Sequence, residues 1–170
     1  QRAFLDRLRA SVQVAQATDD TSDEQAAKRA FAYSLAPVDD KSVIADIKKM
    51  FQDTRNSAHP SARMRVANVF ATTSPASEAS FDKVAATVGN VRRMWHGTRA
   101  HNVLSILATG MQVPARNSGI HIAGRMFGDG IYFSEQSTKS LNYSRGGIWS
   151  SGRDDRALMF VADVAMGWEY

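Results

Sequence analysis

From Val91 onward, the chain alternates short apolar runs with glycine-containing turns, and most of its 11 glycines follow residue 96. Strands are predicted at VRRMW, GIYFS and RALMFVADVA, because these runs are short and rich in β-branched or aromatic residues. The last of them is expected to be a buried strand. Helices are predicted at residues 101–109, which Gly110 ends, and at STKSLNY. This half therefore predicts a mixed α/β or α+β fold with a compact sheet.

The first ninety residues favour helices. Residues 2–17 carry apolar side chains at helical spacing, and Thr21 with Glu24 forms a capping-box pattern before a second helix. Pro37 then interrupts the chain. The remaining predicted order is a helix with an apolar stripe over 43–51, a polar loop over 53–62, a strand over 63–72, and a helix over 76–87 that Gly89 ends.

Composition limits the function classes. The 170 residues suit one domain, or one domain with a small appendage. We find no apolar run of about 20 residues and no signal-peptide pattern, which favours an intracellular protein and no membrane partner. The sequence has no cysteine, and its histidines lack the spacing of metal ligands, so no metal is expected. His59 in particular is expected to be a capping or surface group. The net charge of +4 is spread along the chain and supports nucleic-acid binding only weakly.

Two short motifs carry residues with chemical potential. The histidine of His96-Gly97 can donate and accept through its ring nitrogens, and the glycine lets a ligand approach the backbone. On the predicted helix, Lys139 and Tyr143 share one face, and Ser140 lies one turn from Tyr143. An aromatic ring beside a hydroxyl can clamp a planar carboxamide. Taken alone, each motif is more often an ordinary turn or an ordinary helix.

Together the motifs are more specific. WHGTR, followed about thirty residues later by MFGDGIYFSEQSTKSLNY, resembles the catalytic core of the poly(ADP-ribose) polymerase family, the diphtheria-toxin-like branch of the ADP-ribosyltransferases. The resemblance covers about residues 43–170 and is strongest over 90–143. It implies an α+β ADP-ribosyltransferase fold, with a split mixed or antiparallel β-sheet core and flanking helices. It also implies a catalytic domain over 41–170, after an N-terminal helical segment over 1–40.

The resemblance further implies a pocket for NAD. Gly97 would bind the nicotinamide carboxamide through its backbone, and Ser140 would add its hydroxyl. Tyr143 would stack on the ring and Tyr132 would close the other side. His96 would hold a ribose hydroxyl of the adenosine half, with Thr98 nearby, and Lys139 would line the pocket near the reacting centre. The implied catalytic residues are His96, Tyr132 and Lys139, and the implied NAD-binding residues are His96, Gly97, Thr98, Tyr132, Phe133, Ser140 and Tyr143.

One expected group has no counterpart. Cleavage of the nicotinamide glycosidic bond passes through an oxocarbenium-like state, whose positive charge a carboxylate commonly stabilises. In the family this is a glutamate that follows the strand predicted near residues 157–165. The glutamates of the sequence are Glu24, Glu78, Glu135 and Glu169, and none matches that position. We therefore expect that the C-terminal part of the domain is missing.

These residues predict an enzyme that uses NAD as a co-substrate, releases nicotinamide and transfers ADP-ribose to an acceptor, which we expect to be a protein and which could be the enzyme itself. DNA is a weakly supported activator. Two alternatives stay open at this point. One is a catalytically silent module that binds NAD or ADP-ribose, and the other is an RNA 2′-phosphotransferase, which would need a more basic pocket.

Overall fold

The computed structural model describes residues 31–113, 128–144 and 156–168. Its elements in chain order are β1 (Ser34–Pro37), α1 (Lys41–Asp53), β2 (Phe70–Thr73), α2 (Pro75–Val88), β3 (Val91–Gly97), α3 (Ala100–Thr109), α4 (Ser137–Ser144) and β4 (Met159–Ala165), with a 3₁₀ turn at Pro60–Arg63 between α1 and β2. The helices predicted before residue 31 lie outside the described residues.

The strands form two antiparallel pairs. β1 pairs with β2, so that Ser34 lies opposite Thr73. β3 pairs with β4 over seven residues, so that Gly97 lies opposite Met159. The described residues are thus a mixture of helices and small antiparallel sheets, which agrees with the predicted α+β class at this level.

Local sequence signals fix the helix ends. Asp40 caps α1, because its carboxylate accepts the backbone N–H of Ser42 at 2.8 Å. The hydrogen bonds from Ser42 also lower the pKa of the Asp40 carboxyl. Pro75 occupies the first turn of α2, and Gly89 ends this helix with a φ of 69°, a conformation that glycine adopts at little cost. The helices predicted over 43–51, 76–87, 101–109 and 137–143 are all confirmed with small shifts of their ends.

Three strand predictions and the helical prediction for residues 1–40 need correction. The strand predicted over 63–72 is only Phe70–Thr73, because Pro60 begins a 3₁₀ turn and the residues after it pair with no strand among those described. β1 lies in the stretch 1–40 that was expected to be helical; its pairing with β2 is a contact over almost 40 residues that local propensity does not report. GIYFS is not a strand and contributes one bridge to β3. β4 is half-buried instead of buried, with Asp163 exposed at its centre.

The core lies between α1, β3 and α4. Phe51, Trp95 and Leu141 are 4%, 2% and 4% exposed, and the two rings meet edge to face with their centroids 5.9 Å apart. Burial of such side chains contributes about 1.5–3 kcal/mol each. The indole N–H of Trp95 donates to the hydroxyl of Thr54 at 3.1 Å, so the buried ring leaves no polar atom without a partner. This cluster anchors α4 against the C-terminal half of β3.

Candidate active site

The C-terminal end of β3 brings three segments of the chain together. Trp95 exchanges two backbone hydrogen bonds with Ser134, both 2.9 Å long. The hydroxyl of Ser140, on α4, donates to the same Trp95 carbonyl at 3.0 Å. That carbonyl therefore uses both of its lone pairs, and it joins the β3 edge, the 128–134 segment and α4 at one point.

Gly97 is required by close packing of β3 on α4. Residues two apart in a strand face the same side, so Gly97 faces α4 as the buried Trp95 does. A Cβ built on Gly97 would lie 1.7 Å from the carbonyl oxygen of Ser140 and 2.5 Å from its carbonyl carbon. No L side chain fits in that space. Glycine was expected here because it lets a ligand approach the backbone, and its close contact with Ser140 is a packing reason that exists without a ligand.

The backbone groups of Gly97 point away from β4. In an antiparallel ladder the N–H and C=O groups of successive residues alternate between the two edges of the strand. Trp95 directs both groups to Ser134, so Gly97, two residues on, directs both groups to the same edge. Trp95 and Ser134 form an isolated bridge, which does not continue as a strand pairing to Tyr132 and Gly97. The Tyr132 carbonyl accepts a bond from the His96 ring. By this alternation the edge beside Gly97 carries one N–H donor and one C=O acceptor.

His96 is held in one orientation. Its Nδ1 lies 2.9 Å from the Tyr132 carbonyl, which can only accept, so the proton is on Nδ1 and Nε2 is an acceptor in the neutral ring. The ring contacts Phe133 and Phe160, at centroid distances of 5.5 and 6.3 Å. Burial lowers the pKa of His96 below its ordinary value, and the bond to Tyr132 opposes this only in part. A neutral imidazole protonated on Nδ1 can accept a hydrogen bond from a sugar hydroxyl at Nε2.

The tyrosines and Lys139 occupy exposed positions around this edge. Tyr143 and Lys139 lie on the exposed side of α4, four residues apart, and 39% of the Tyr143 side chain is accessible. Tyr132 is also exposed, and its hydroxyl donates to the Gly128 carbonyl at 2.7 Å, which fixes the ring against its own turn. The described structure thus brings His96, Gly97, Ser140 and Tyr132 to one edge, with Tyr143 one turn from Ser140.

Thr98 and Phe133 have contacts within the protein. Thr98 accepts a bond from the side chain of Asn102 at 2.9 Å, which ties the end of β3 to α3. Phe133 contacts the ring of His96, so it orients the histidine. Sequence reasoning missed Phe160, which lies opposite His96 across the β3–β4 pair; a predicted pairing of these two strands would have indicated it.

His59 was expected to be a capping or surface group. It occupies the N-cap position of the 3₁₀ turn Pro60–Arg63, but its side chain makes no capping bond and is not on the surface. This residue is half-buried, and its Nδ1 lies 2.8 Å from the hydroxyl of Thr138 at the start of α4. No local sequence pattern predicts this contact, since the two residues are 79 positions apart.

The two glutamates in the described part of the chain have other roles. Glu78 accepts the backbone N–H of Ser74 at 3.1 Å, which closes the start of α2. Glu135 pairs with Arg92 at 3.1 Å on the surface. Within residues 31–113, 128–144 and 156–168, no three His, Asp or Glu side chains cluster as metal ligands would, and none of the helices is long and apolar enough to span a bilayer.

The family model for the poly(ADP-ribose) polymerase catalytic domain matches residues 41–170. The chain belongs to this family. The resemblance noted from WHGTR and MFGDGIYFSEQSTKSLNY is thereby confirmed, and the match includes every residue placed at the candidate site. Because the match begins at Lys41, β1 and the residues before it lie outside the matched region.

The curated relatives of this chain include viral, plant and animal members of the poly(ADP-ribose) polymerase family. The chain is 38% identical over 79 residues to the putative poly [ADP-ribose] polymerase-like 100L of Invertebrate iridescent virus 6, and the match covers 46% of the chain and 39% of that protein. It is 29% identical over 135 residues to poly [ADP-ribose] polymerase 2 of Homo sapiens, covering 79% of the chain and 22% of that protein. The chain therefore spans less than two fifths of the length of these relatives.

Proposed function

We propose that this chain is the NAD-binding part of an enzyme that cleaves NAD, releases nicotinamide and transfers ADP-ribose to a protein acceptor. The observation that carries the proposal is the edge at Gly97. By the alternation along β3, its backbone N–H and C=O point away from β4, Ser140 packs directly against Gly97, and Tyr132 and Tyr143 are exposed. Membership of the poly(ADP-ribose) polymerase family supports the same reaction class.

Each residue would act through the atoms described above. The Gly97 N–H would donate to the carboxamide oxygen, and the Gly97 C=O would accept from the carboxamide amide. Ser140 directs its proton to Trp95, so its oxygen would accept, or the hydroxyl would turn to donate to the ligand. Tyr143 would stack on the nicotinamide ring, Tyr132 would limit the opposite side, and Lys139 would line the rim.

The two halves of NAD would be held separately. Neutral His96 would accept a ribose hydroxyl of the adenosine half at Nε2, with Thr98 beside it. Three or four hydrogen bonds of about 0.5–1.5 kcal/mol each, with one ring stack of similar size, suffice to orient the leaving group. Bond cleavage then moves the glycosidic electron pair to nicotinamide, and the acceptor nucleophile attacks the ribose carbon that loses it. A rigid leaving group lowers the entropy cost of that step.

The test is transfer from labelled NAD by the full-length protein, comparing wild type with Tyr143→Ala and Tyr143→Phe. Loss of the stack should raise the KM for NAD by about tenfold in Tyr143→Ala. Tyr143→Phe keeps the ring and should stay within about twofold of wild type by the same reasoning. Transfer that Tyr143→Ala leaves unchanged would contradict the assignment.

A calorimetric titration with NAD, followed by analysis for free nicotinamide, separates this proposal from the silent-module alternative. The enzyme should release nicotinamide in step with label transfer. Binding of NAD without any release would identify a binding module instead. Transfer that needs a 2′-phosphorylated RNA would identify a phosphotransferase.

A further inference from the structure

A polar seam joins α4 to the segment that follows α1. The seam consists of seven buried or half-buried side chains, which are Thr54, Asn56, His59, Ser61, Ser137, Thr138 and Asn142. Ser137 and Thr138 have no accessible surface, and Ser61 is 1% exposed. Because a buried polar group without a partner costs about 1–3 kcal/mol, the bonds of the seam restrict where α4 can lie.

Thr138 is the centre of the polar seam. Its hydroxyl oxygen accepts the backbone N–H of Asn56 at 2.9 Å and lies 2.8 Å from Nδ1 of His59. A fully buried hydroxyl proton needs an acceptor, so we assign that proton to the bond with His59 Nδ1, which places the imidazole proton on Nε2. One threonine thus joins α4 to both ends of the four-residue loop between Asn56 and His59.

The polar seam holds α4 at two successive turns. The hydroxyl of Ser137 donates to the Phe51 carbonyl at 2.8 Å, beside Thr138. One turn later, the hydroxyl of Ser61 donates to Asn142 Oδ1 at 2.8 Å. α4 has only eight residues, and helices this short are not stable in isolation. Its orientation therefore depends on these tertiary bonds.

We propose that Thr138 is a positioning residue for the nicotinamide site. Successive residues of a helix are about 100° apart, so Thr138 and Ser140 leave α4 on nearly opposite sides. Ser140 is bound to Trp95 of β3, and Thr138 is bound to Asn56 and His59. Attachments on opposite sides restrict the rotation of the helix about its axis, and the bonds of Ser137 and Asn142 add to the restraint on the seam side.

The rotation of α4 determines where Ser140 and Tyr143 present their side chains. Side-chain tips lie about 5–6 Å from a helix axis, so a rotation of about 10° moves them by about 1 Å. Displacements of that size can cost up to about a hundredfold in a reaction that depends on orientation. This inference rests on the proposed nicotinamide site, but Thr138 and its own partners, Asn56 and His59, are not residues of that site.

The experiment compares Thr138→Val with Thr138→Ser in the full-length protein. Valine keeps the shape and removes the hydroxyl, and serine keeps the hydroxyl. We expect Thr138→Val to raise the Kd for nicotinamide and the KM for NAD by about tenfold, and Thr138→Ser to restore both within about twofold. His59→Ala removes one hydrogen-bond partner of Thr138 and should raise the Kd and the KM by a smaller factor. This variant takes the place of Thr138→Val if Thr138→Val does not fold.

Two controls isolate positioning from stability. Thr87→Val makes the same chemical change at an exposed hydroxyl that bonds only within α2. Leu107→Ala removes a buried side chain of α3, and it should lower Tm without a change in the Kd of the folded protein. Equal Kd values for Thr138→Val and wild type, or a Thr138→Ser variant as weak as Thr138→Val, would overturn the proposal.

Hydrogen exchange of the α4 amides provides a readout that needs no ligand. Exchange over residues 140–143 should be faster in Thr138→Val than in Thr138→Ser, and equal rates would overturn the proposal. If the wild-type protein binds no nicotinamide, the proposed function fails, and the exchange rates alone still decide whether Thr138 fixes α4.

Discussion

Replacement of Gly97 by alanine tests the geometry of the site most directly. The added Cβ would lie 1.7 Å from the Ser140 carbonyl oxygen, where ordinary contact begins at 3.4 Å. The obstacle is the backbone of α4, which cannot turn aside as a flexible side chain could. Either α4 or the end of β3 must therefore move away by about 1.7 Å at this point.

That displacement has a calculable cost. It would stretch the 3.0 Å bond between the Ser140 hydroxyl and the Trp95 carbonyl beyond hydrogen-bond range and loosen the packing of Leu141. Overpacking costs about 1–3 kcal/mol and the lost bond about 0.5–1.5 kcal/mol. We expect Gly97→Ala to lower the free energy of unfolding by about 2–4 kcal/mol, which corresponds to a fall in Tm of about 4–16 °C for a protein of this size.

The assay combines thermal unfolding with calorimetric titration of nicotinamide. In Gly97→Ala, the affinity for nicotinamide should fall together with Tm, because the displacement separates the Gly97 backbone from Ser140. Gly130→Ala is the matched control for stability, since no described atom lies within 4 Å of its added Cβ. A Gly97→Ala protein with the Tm and the nicotinamide affinity of wild type would refute the close approach of α4 to β3.

Three further predictions concern residues near the site. Burial lowers the pKa of His96, so the stability that its neutral ring contributes is complete above the ordinary pKa of 6.5 and is lost as pH falls through the lower pKa of the folded state. Between pH 7.5 and pH 5, the free energy of unfolding in urea should therefore fall less for His96→Gln than for wild type. Equal falls would contradict this prediction. Asp163→Asn should cost at most about 1 kcal/mol at pH 7, since the pair with Arg93 is exposed. The hydrogen bond from Arg93 lowers the pKa of Asp163, so the free energies of unfolding of wild type and variant should converge as pH falls below the ordinary carboxyl pKa of 3.8. A difference in free energy that stays constant with pH would argue against the pair. Phe51→Ala should lower the free energy of unfolding in urea by about 3–5 kcal/mol, because the ring is only 4% exposed and packs against Trp95. A decrease below about 1 kcal/mol would contradict its place in the core.

Much of the helical structure was predictable because its signals are local. Asp40, Pro75 and Gly89 fix helix ends through neighbouring atoms, and the helices that they bound were predicted within a few residues. The strands were predicted less well. β1 exists because it pairs with β2, and GIYFS contributes only the bridge between Ser134 and Trp95 of β3. Both outcomes depend on residues far away in the sequence.

The sequence by itself determined the family, the chemical types at the candidate site and the order of the helices. His96, Gly97, Tyr132, Ser140 and Tyr143 were all named from their spacing and from the resemblance that this spacing carries. A motif records which groups are present because side-chain chemistry is a property of each residue.

Only the tertiary structure decided how those groups are oriented. It directs the Ser140 proton to Trp95, places the imidazole proton of His96 on Nδ1 and brings the Ser140 backbone so close to Gly97 that no side chain fits. It also showed that His59 bonds to Thr138, 79 residues away. Hydrogen-bond direction and close packing depend on where two distant segments meet, and the local sequence does not contain that information.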